Sequence, residues 1–198
     1  MTTTLGVTGG IGSGKTMVCR MLEELGARVF YADDAAKKLM QDDPAARAEI
    51  TAAFGPESYD ADGRLNRSYL AGQVFSRDDR LHRLNAIVHP RVFRAFEQAR
   101  VRAEQEGVPL LVHEAALLFE AGGDRHLDAV AVVDAPVAER IRRVVARDGV
   151  TPEQVQARMR HQLPAAELRR RADYVIENTG APEALRTQIE HLYHVLIG

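Results

Sequence analysis

The residues with the most chemistry in their spacing are Gly9-Gly10-Ile11-Gly12-Ser13-Gly14-Lys15-Thr16, which fill every fixed position of G-x-x-x-x-G-K-[ST]. Glycines let successive backbone N–H groups turn around an anion, and a helix N-terminus behind them adds partial positive charge. In such a loop Gly10, Ile11, Gly12, Ser13 and Gly14 supply backbone donors. Lys15 reaches the outer phosphates, and the Thr16 hydroxyl is placed to ligate Mg²⁺. The pattern has this meaning only between a strand and a helix. Residues 4–8 read as a short buried strand, and residues 17–25 as a helix ended by Gly26. The context predicts a site for a nucleotide polyphosphate.

Other polar residues fall where further predicted strands end. Asp33 follows 28–31, Glu114 ends 108–114, Asp134 follows 128–133 and Asn178 follows 174–177. Strands alternate with helices over 137–147, over a stretch capped by Thr151 and running to about 162, and over 182–196. Such alternation predicts an α/β fold with a doubly wound parallel sheet. Ligands of these sheets bind beyond the carboxyl ends of the strands, so the glycine loop, Asp33, Glu114, Asp134 and Asn178 are expected to ring one cleft. Strand two is expected beside the strand that carries the loop.

Residues 35–105 interrupt the alternation with a block of helical patterns. One opens at 35–40; a second, capped at Asp42-Asp43, runs from 44 to 54. Gly55-Pro56 breaks it and 60–63 is a turn. Further patterns cover 66–75 and 79–87, and Pro90 is expected to open another through 104.

Several candidates carry two readings each. Asp33 is placed to orient and deprotonate an attacking hydroxyl, or to cap the helix expected near Ala35, a task Asp34 also fits. Arg140, Arg143 and Arg147 share one helical face, suited to a transferring phosphoryl group or to solvent. His89, before Pro90, is a helix-entry residue that shapes the helical block or touches substrate. Glu114 orients substrate or water-bound Mg²⁺, or pairs with an arginine. Asn178 reads an adenine edge or makes a turn. Cys19 is expected to be packing.

Composition narrows the classes. The 198 residues, 45% hydrophobic and 27% charged, suit one well-buried core with an inserted subdomain. A formal charge of −2 and little aromatic interleaving argue against a nucleic-acid partner, despite Arg169-Arg170-Arg171. The single cysteine excludes an intrachain disulfide and suits a reducing compartment. The first strand begins close to Met1, leaving no room for a secretory leader, and no apolar run is long enough to cross a bilayer. A cytoplasmic protein with no membrane partner is expected, either a monomer or a weak homo-oligomer.

Taken in order, these signals resemble the dephospho-CoA kinase family. The resemblance rests on Thr8 to Lys15, Ala32-Asp33, Gly63-Arg64-Leu65-Asn66-Arg67, Val74-Phe75 and Leu84-Asn85-Ala86-Ile87-Val88-His89-Pro90. It continues through Leu117-Leu118-Phe119-Glu120, Arg147-Asp148-Gly149 and Ala172 to Asn178. It implies a P-loop kinase fold, and transfer of the ATP γ-phosphoryl to the ribose 3′-hydroxyl of dephospho-CoA, with Mg²⁺. It also implies a nucleotide core (1–33, 106–138 and 166–198), a helical CoA-substrate domain (34–105) and a lid (139–165). By the same resemblance Asp33 is the catalytic carboxylate, Lys15, Arg143 and Arg147 act on the phosphates, and Arg140 touches adenine. Two positions depart from the pattern. Tyr31 stands where the family often has Asp, and Glu114 stands where it commonly has Asp. A kinase of another small alcohol would lack the insertion motifs. A P-loop switch protein would need Asp-x-x-Gly after a strand and Asn-Lys-x-Asp, and neither is present.

Overall fold

The structure, a computed structural model, describes residues 1–74 and 77–198. In chain order the elements are β1 (Thr3–Thr8), α1 (Lys15–Glu24), β2 (Arg28–Tyr31), α2 (Ala32–Asp42), α3 (Pro44–Phe54), α4 (Arg67–Val74) and α5 (Asp78–Gln105). Then follow β3 (Leu110–Glu114), β4 (Ala129–Asp134), α6 (Val137–Asp148), α7 (Pro152–Met159), α8 (Ala165–Arg171), β5 (Tyr174–Glu177) and α9 (Pro182–Ile197). The chain divides into two compact units, Met1–Tyr31 with Ala99–Gly198, and Ala32–Gln98.

The first unit holds a five-stranded, all-parallel sheet in the order β2-β3-β1-β4-β5. Strand two therefore does not adjoin the loop-bearing β1, because β3 lies between them. Burial explains the order. All five residues of β3 are buried, whereas β2 keeps one exposed and three half-buried positions and suits an edge. One face packs Leu5, Val7, Leu110, Val112 and Val133 against Val18 and Leu22 of α1 and Leu185 and Ile189 of α9. The other packs Val130 and Val132 against Leu118, Phe119 and Leu168.

The second unit is helical. Ile50, Phe54, Leu70 and Ile87 form its core, with Met40, Tyr59 and Leu65 packed on it. Asp43 caps α3 as expected, its carboxylate accepting from Ala45 N and Ala46 N.

Several expected boundaries move. The stretch from Asp78 to Gln105 is one helix, with Pro90 inside it rather than at its start. Proline removes a helix donor and crowds the preceding turn. The guanidinium of the next residue, Arg91, donates to the Ile87 carbonyl at 2.6 Å and packs beside that turn. Helix α2 opens at Ala32, so Asp33 and Asp34 lie in its first turn and neither caps it. Helix α7 ends at Met159, short of residue 162, and α8 had no counterpart among the expected elements. The expected helix over 66–75 is described as α4 to Val74; Phe75, and with it part of the Val74-Phe75 motif, lies outside the described residues.

Candidate active site

The glycine loop joins β1, an interior strand, to α1. Gly9 has φ 145°, and a Cβ there would run into the Val133 carbonyl oxygen. Gly10 is bare for a different reason: the guanidinium of Arg140 fills the space a side chain would need. The loop can lie this close to β4 and α6 only with glycine at both positions.

Side chains from the loop itself and from beyond β4 and β5 then fix the loop by its carbonyls. Lys15 Nζ donates to Gly9 O at 2.9 Å. Arg140 Nε donates to Ile11 O at 3.0 Å, and Asn178 Nδ2 to Ser13 O at 2.8 Å. Arg143 joins at 3.3 Å to Ser13 O and at 3.2 Å to Asn178 O. In a planar trans peptide the N–H of one residue points opposite the C=O of the residue before it. Holding the carbonyls of Ile11 and Ser13 therefore aims the N–H groups of Gly12 and Gly14 away from Arg140 and Asn178. An array of such donors ahead of α1, with its N-terminal dipole, is built for an anion.

Burial makes these contacts firm. Arg140 and Asn178 are each 7% exposed. Burial lowers the Arg140 pKa, and the charge of Asp134 partly opposes that. Glu114, buried at the end of β3, places Oε1 4.0 Å from Lys15 Nζ. Asp134, at the end of β4, accepts from Arg169 of α8 at 2.8 Å. Thr8 and Ser13 bring buried hydroxyls without a hydrogen-bond partner among the described residues. Such groups cost stability unless a ligand or water satisfies them.

Glu114, Asp134 and Asn178 thus lie at the carboxyl ends of β3, β4 and β5, the end of the sheet that carries the loop. Arg147 is turned elsewhere, with Nε and Nη2 donating to both oxygens of Asp148 at 2.7 and 3.2 Å. Asp33 and His89 belong to the helical unit. Asp33 is exposed in the first turn of α2; His89 lies mid-helix in α5, where burial lowers its pKa.

One polar residue at the loop had no signal in the sequence. Gln162, between α7 and α8, accepts from Ile11 N at 2.8 Å through its side-chain oxygen, and its amide donates to Ala116 O at 3.3 Å. A glutamine two residues before a proline gives no pattern to read.

Tyr31 and Cys19 show what stands beside these groups. Burial, with the nearby Cys19 and Glu23, pushes the Tyr31 hydroxyl up to about 12, and it donates to Glu23 at 3.4 Å. Cys19, fully buried on α1, has its thiol pKa raised by burial and then by Glu114 and Glu23.

Among the described residues no cluster of three or more His, Cys, Asp or Glu side chains could cage a metal. The donor set suits Mg²⁺ of another kind. The exposed Thr16 hydroxyl at the start of α1 would offer one ligand to a Mg²⁺ that arrives with the nucleotide's phosphates.

Comparison with known proteins agrees across the chain. Residues 3–183 match the dephospho-CoA kinase family. The dephospho-CoA kinase of Salinibacter ruber is 61% identical over 196 residues, which cover 99% of this chain and 98% of that protein. Among solved structures, TT1252 from Thermus thermophilus superposes with a TM-score of 0.86 at 40% identity, covering 100% of this chain and 99% of that one. A dephospho-CoA kinase from Campylobacter jejuni, 23% identical, shares the fold with a TM-score of 0.73, covering 100% and 98%. With its glycine loop intact and the match spanning nearly its whole length, this chain belongs to the dephospho-CoA kinase family.

Proposed function

We propose that this protein binds ATP at the glycine loop and transfers its γ-phosphoryl to the ribose 3′-hydroxyl of dephospho-CoA, releasing ADP and CoA. The observation that carries the reading is the carbonyl-anchored loop with Lys15 and Thr16 in place, in a chain that matches this family almost end to end. Phosphoryl transfer asks a protein mainly to position reactants and to neutralise charge. The N–H groups of the loop and Lys15 hold the β- and γ-phosphates. Arg143, one turn from Arg140 on α6, adds charge to the transferring group, and Arg147 joins it once released from Asp148. Asn178 and Arg140 keep the loop in its binding shape, with adenine held near Arg140. Glu114 sets the position of Lys15. Mg²⁺, held by Thr16 with phosphate and water, screens the phosphate oxygens when bound.

Asp33 takes the proton of the 3′-hydroxyl as its oxygen attacks γ-phosphorus and the bond to the β-phosphate oxygen breaks. Its exposure at the head of α2 leaves the carboxylate accessible to a substrate. Residues 34–105, with His89, hold the acceptor, and residues 139–165 close over the nucleotide. Among the described residues no helix is long and apolar enough to cross a membrane. We propose the cytoplasm as its compartment, a reducing environment that suits the single buried cysteine.

The test is ADP release with dephospho-CoA, adenosine, a nucleoside monophosphate or shikimate as acceptor. Turnover with dephospho-CoA alone is expected. Asp33→Asn should lower kcat by about 10²- to 10⁴-fold, the range for one general base, with ATP affinity unchanged. Turnover with another acceptor, or hydrolysis indifferent to all four, defeats the reading.

A further inference from the structure

The helical unit contains a cavity of about 510 Å³ whose lining includes Lys37, Lys38 and Gln41 of α2 with Arg64, Leu65 and Arg67. Asp34 and Asp42 also line it, each paired with a lysine: Asp34 with Lys37 at 2.7 Å and Asp42 with Lys38 at 3.0 Å. Four cations thus face two carboxylates, and among the described residues Arg64 and Arg67 have no ion-pair partner. They come from the Gly63-Arg64-Leu65-Asn66-Arg67 segment, which the phosphoryl-transfer mechanism leaves unused.

The segment is held in place by contacts that use neither arginine side chain. Gln41 donates to Gly63 O at 3.0 Å and accepts from Leu65 N at 2.8 Å. Arg47 donates to the same Gly63 carbonyl and to Gln41 O, both at 2.8 Å, and its guanidinium lies 4.1 Å from the centre of the Tyr59 ring. The Tyr59 hydroxyl donates to Met40 O at 2.7 Å. Asp60 accepts from Arg64 N at 2.8 Å, and Asn66 accepts from Tyr69 N at 3.1 Å as α4 begins. The backbone around both arginines is fixed while their side chains remain exposed.

We propose that this pocket binds the diphosphate of the acceptor, with Arg64 and Arg67 as the groups that recognise it. The proposal rests on dephospho-CoA being the substrate. A diphosphate diester carries two negative charges, equal to the excess of cations in the lining, and guanidinium forks suit phosphate oxygens. Position agrees. Asp33, Lys37 and Gln41 follow one another at four-residue steps on α2, a rise of about 6 Å each. In dephospho-CoA the 3′-hydroxyl and the 5′-diphosphate hang from one ribose. A carboxylate one turn from a cationic pocket on the same helix fits that arrangement.

The experiment compares the wild type with Arg64→Ala/Arg67→Ala and Arg64→Lys/Arg67→Lys in steady-state kinetics, varying dephospho-CoA and ATP separately at low and high salt. The alanine pair should raise KM for dephospho-CoA by about 10- to 100-fold, the effect of losing bonds to a charged group. KM for ATP should stay within about twofold, and the melting temperature should be unchanged because neither side chain supports the fold. The lysine pair should recover part of the loss. Salt should weaken dephospho-CoA binding by the wild type more than by the alanine pair. Unchanged KM for dephospho-CoA, or a parallel rise in KM for ATP, overturns the pocket while leaving the kinase reading intact. A wild type that does not phosphorylate dephospho-CoA overturns both.

Discussion

The two units use basic side chains in opposite ways. In the sheet unit Lys15, Arg140 and Arg143 all donate to carbonyls of the glycine loop, so cations there shape a backbone whose N–H groups meet the anion. In the helical unit Gln41 and Arg47 hold the carbonyls of the Gly63 turn, and Arg64 and Arg67 are left to meet an anion directly. The first arrangement is rigid and specific for phosphate shape. The second is open, charge-driven and sensitive to salt. A transferring phosphoryl group needs the first; a diphosphate that only anchors its substrate is served by the second.

The contrast predicts where damage shows. Of the cations in the two units, Lys15→Ala should do the most damage: kcat/KM falls by about 10³-fold, as for removal of one donor to developing negative charge. The alanine pair at Arg64 and Arg67, by contrast, should act on KM for dephospho-CoA. Equal effects on kcat in both would erase the distinction, and steady-state kinetics read it directly.

Acid should test the sheet unit next. His113, inside β3, has its pKa pushed down to about 4 by burial. Between that value and the ordinary one near 6.5 the native chain binds fewer protons than the unfolded chain. Stability is therefore fully present above pH 6.5 and declines as pH falls toward 4, by at most about 3 kcal/mol from this group. Thermal melts across that window should show the slope, and His113→Asn should flatten it. A slope unchanged in the variant would trace acid sensitivity elsewhere.

The smallest effect expected is that of Asn178→Ala. It leaves the Ser13 carbonyl with only the longer Arg143 contact, costing about 1–3 kcal/mol of stability and raising KM for ATP. A melting curve and ATP titration of the same variant check both parts. Loss of stability with unaltered ATP binding would mean the loop keeps its shape without that anchor.

What could be read from the sequence follows the same divide. The loop, five strands and helical insertion were legible because glycine spacing, apolar runs and caps are local signals. Strand order was not, since the placement of β3 between β2 and β1 depends on burial summed over the whole sheet. Pro90 reads locally as a helix start, yet the helix runs through it, and the neighbouring Arg91 is tied both to the Ile87 carbonyl and to Glu49 of α3, a partner far away in the chain. Candidate residues were legible where they end strands, as Glu114 and Asn178 do. What Asn178 and Arg140 touch was not, because their partners are carbonyls far away in the chain. Gln162 lacked any local pattern.

Cys19 carries one further consequence. Dephospho-CoA and CoA each end in a pantetheine thiol, and a thiol that reaches a reactive cysteine can be trapped as a mixed disulfide whenever conditions become oxidising. This chain has a single cysteine. It is fully buried, and its surroundings keep it protonated, so it offers neither access nor the thiolate that such exchange requires. Throughout its turnover the protein handles a sulfhydryl cargo while presenting no thiol of its own for that cargo to bond.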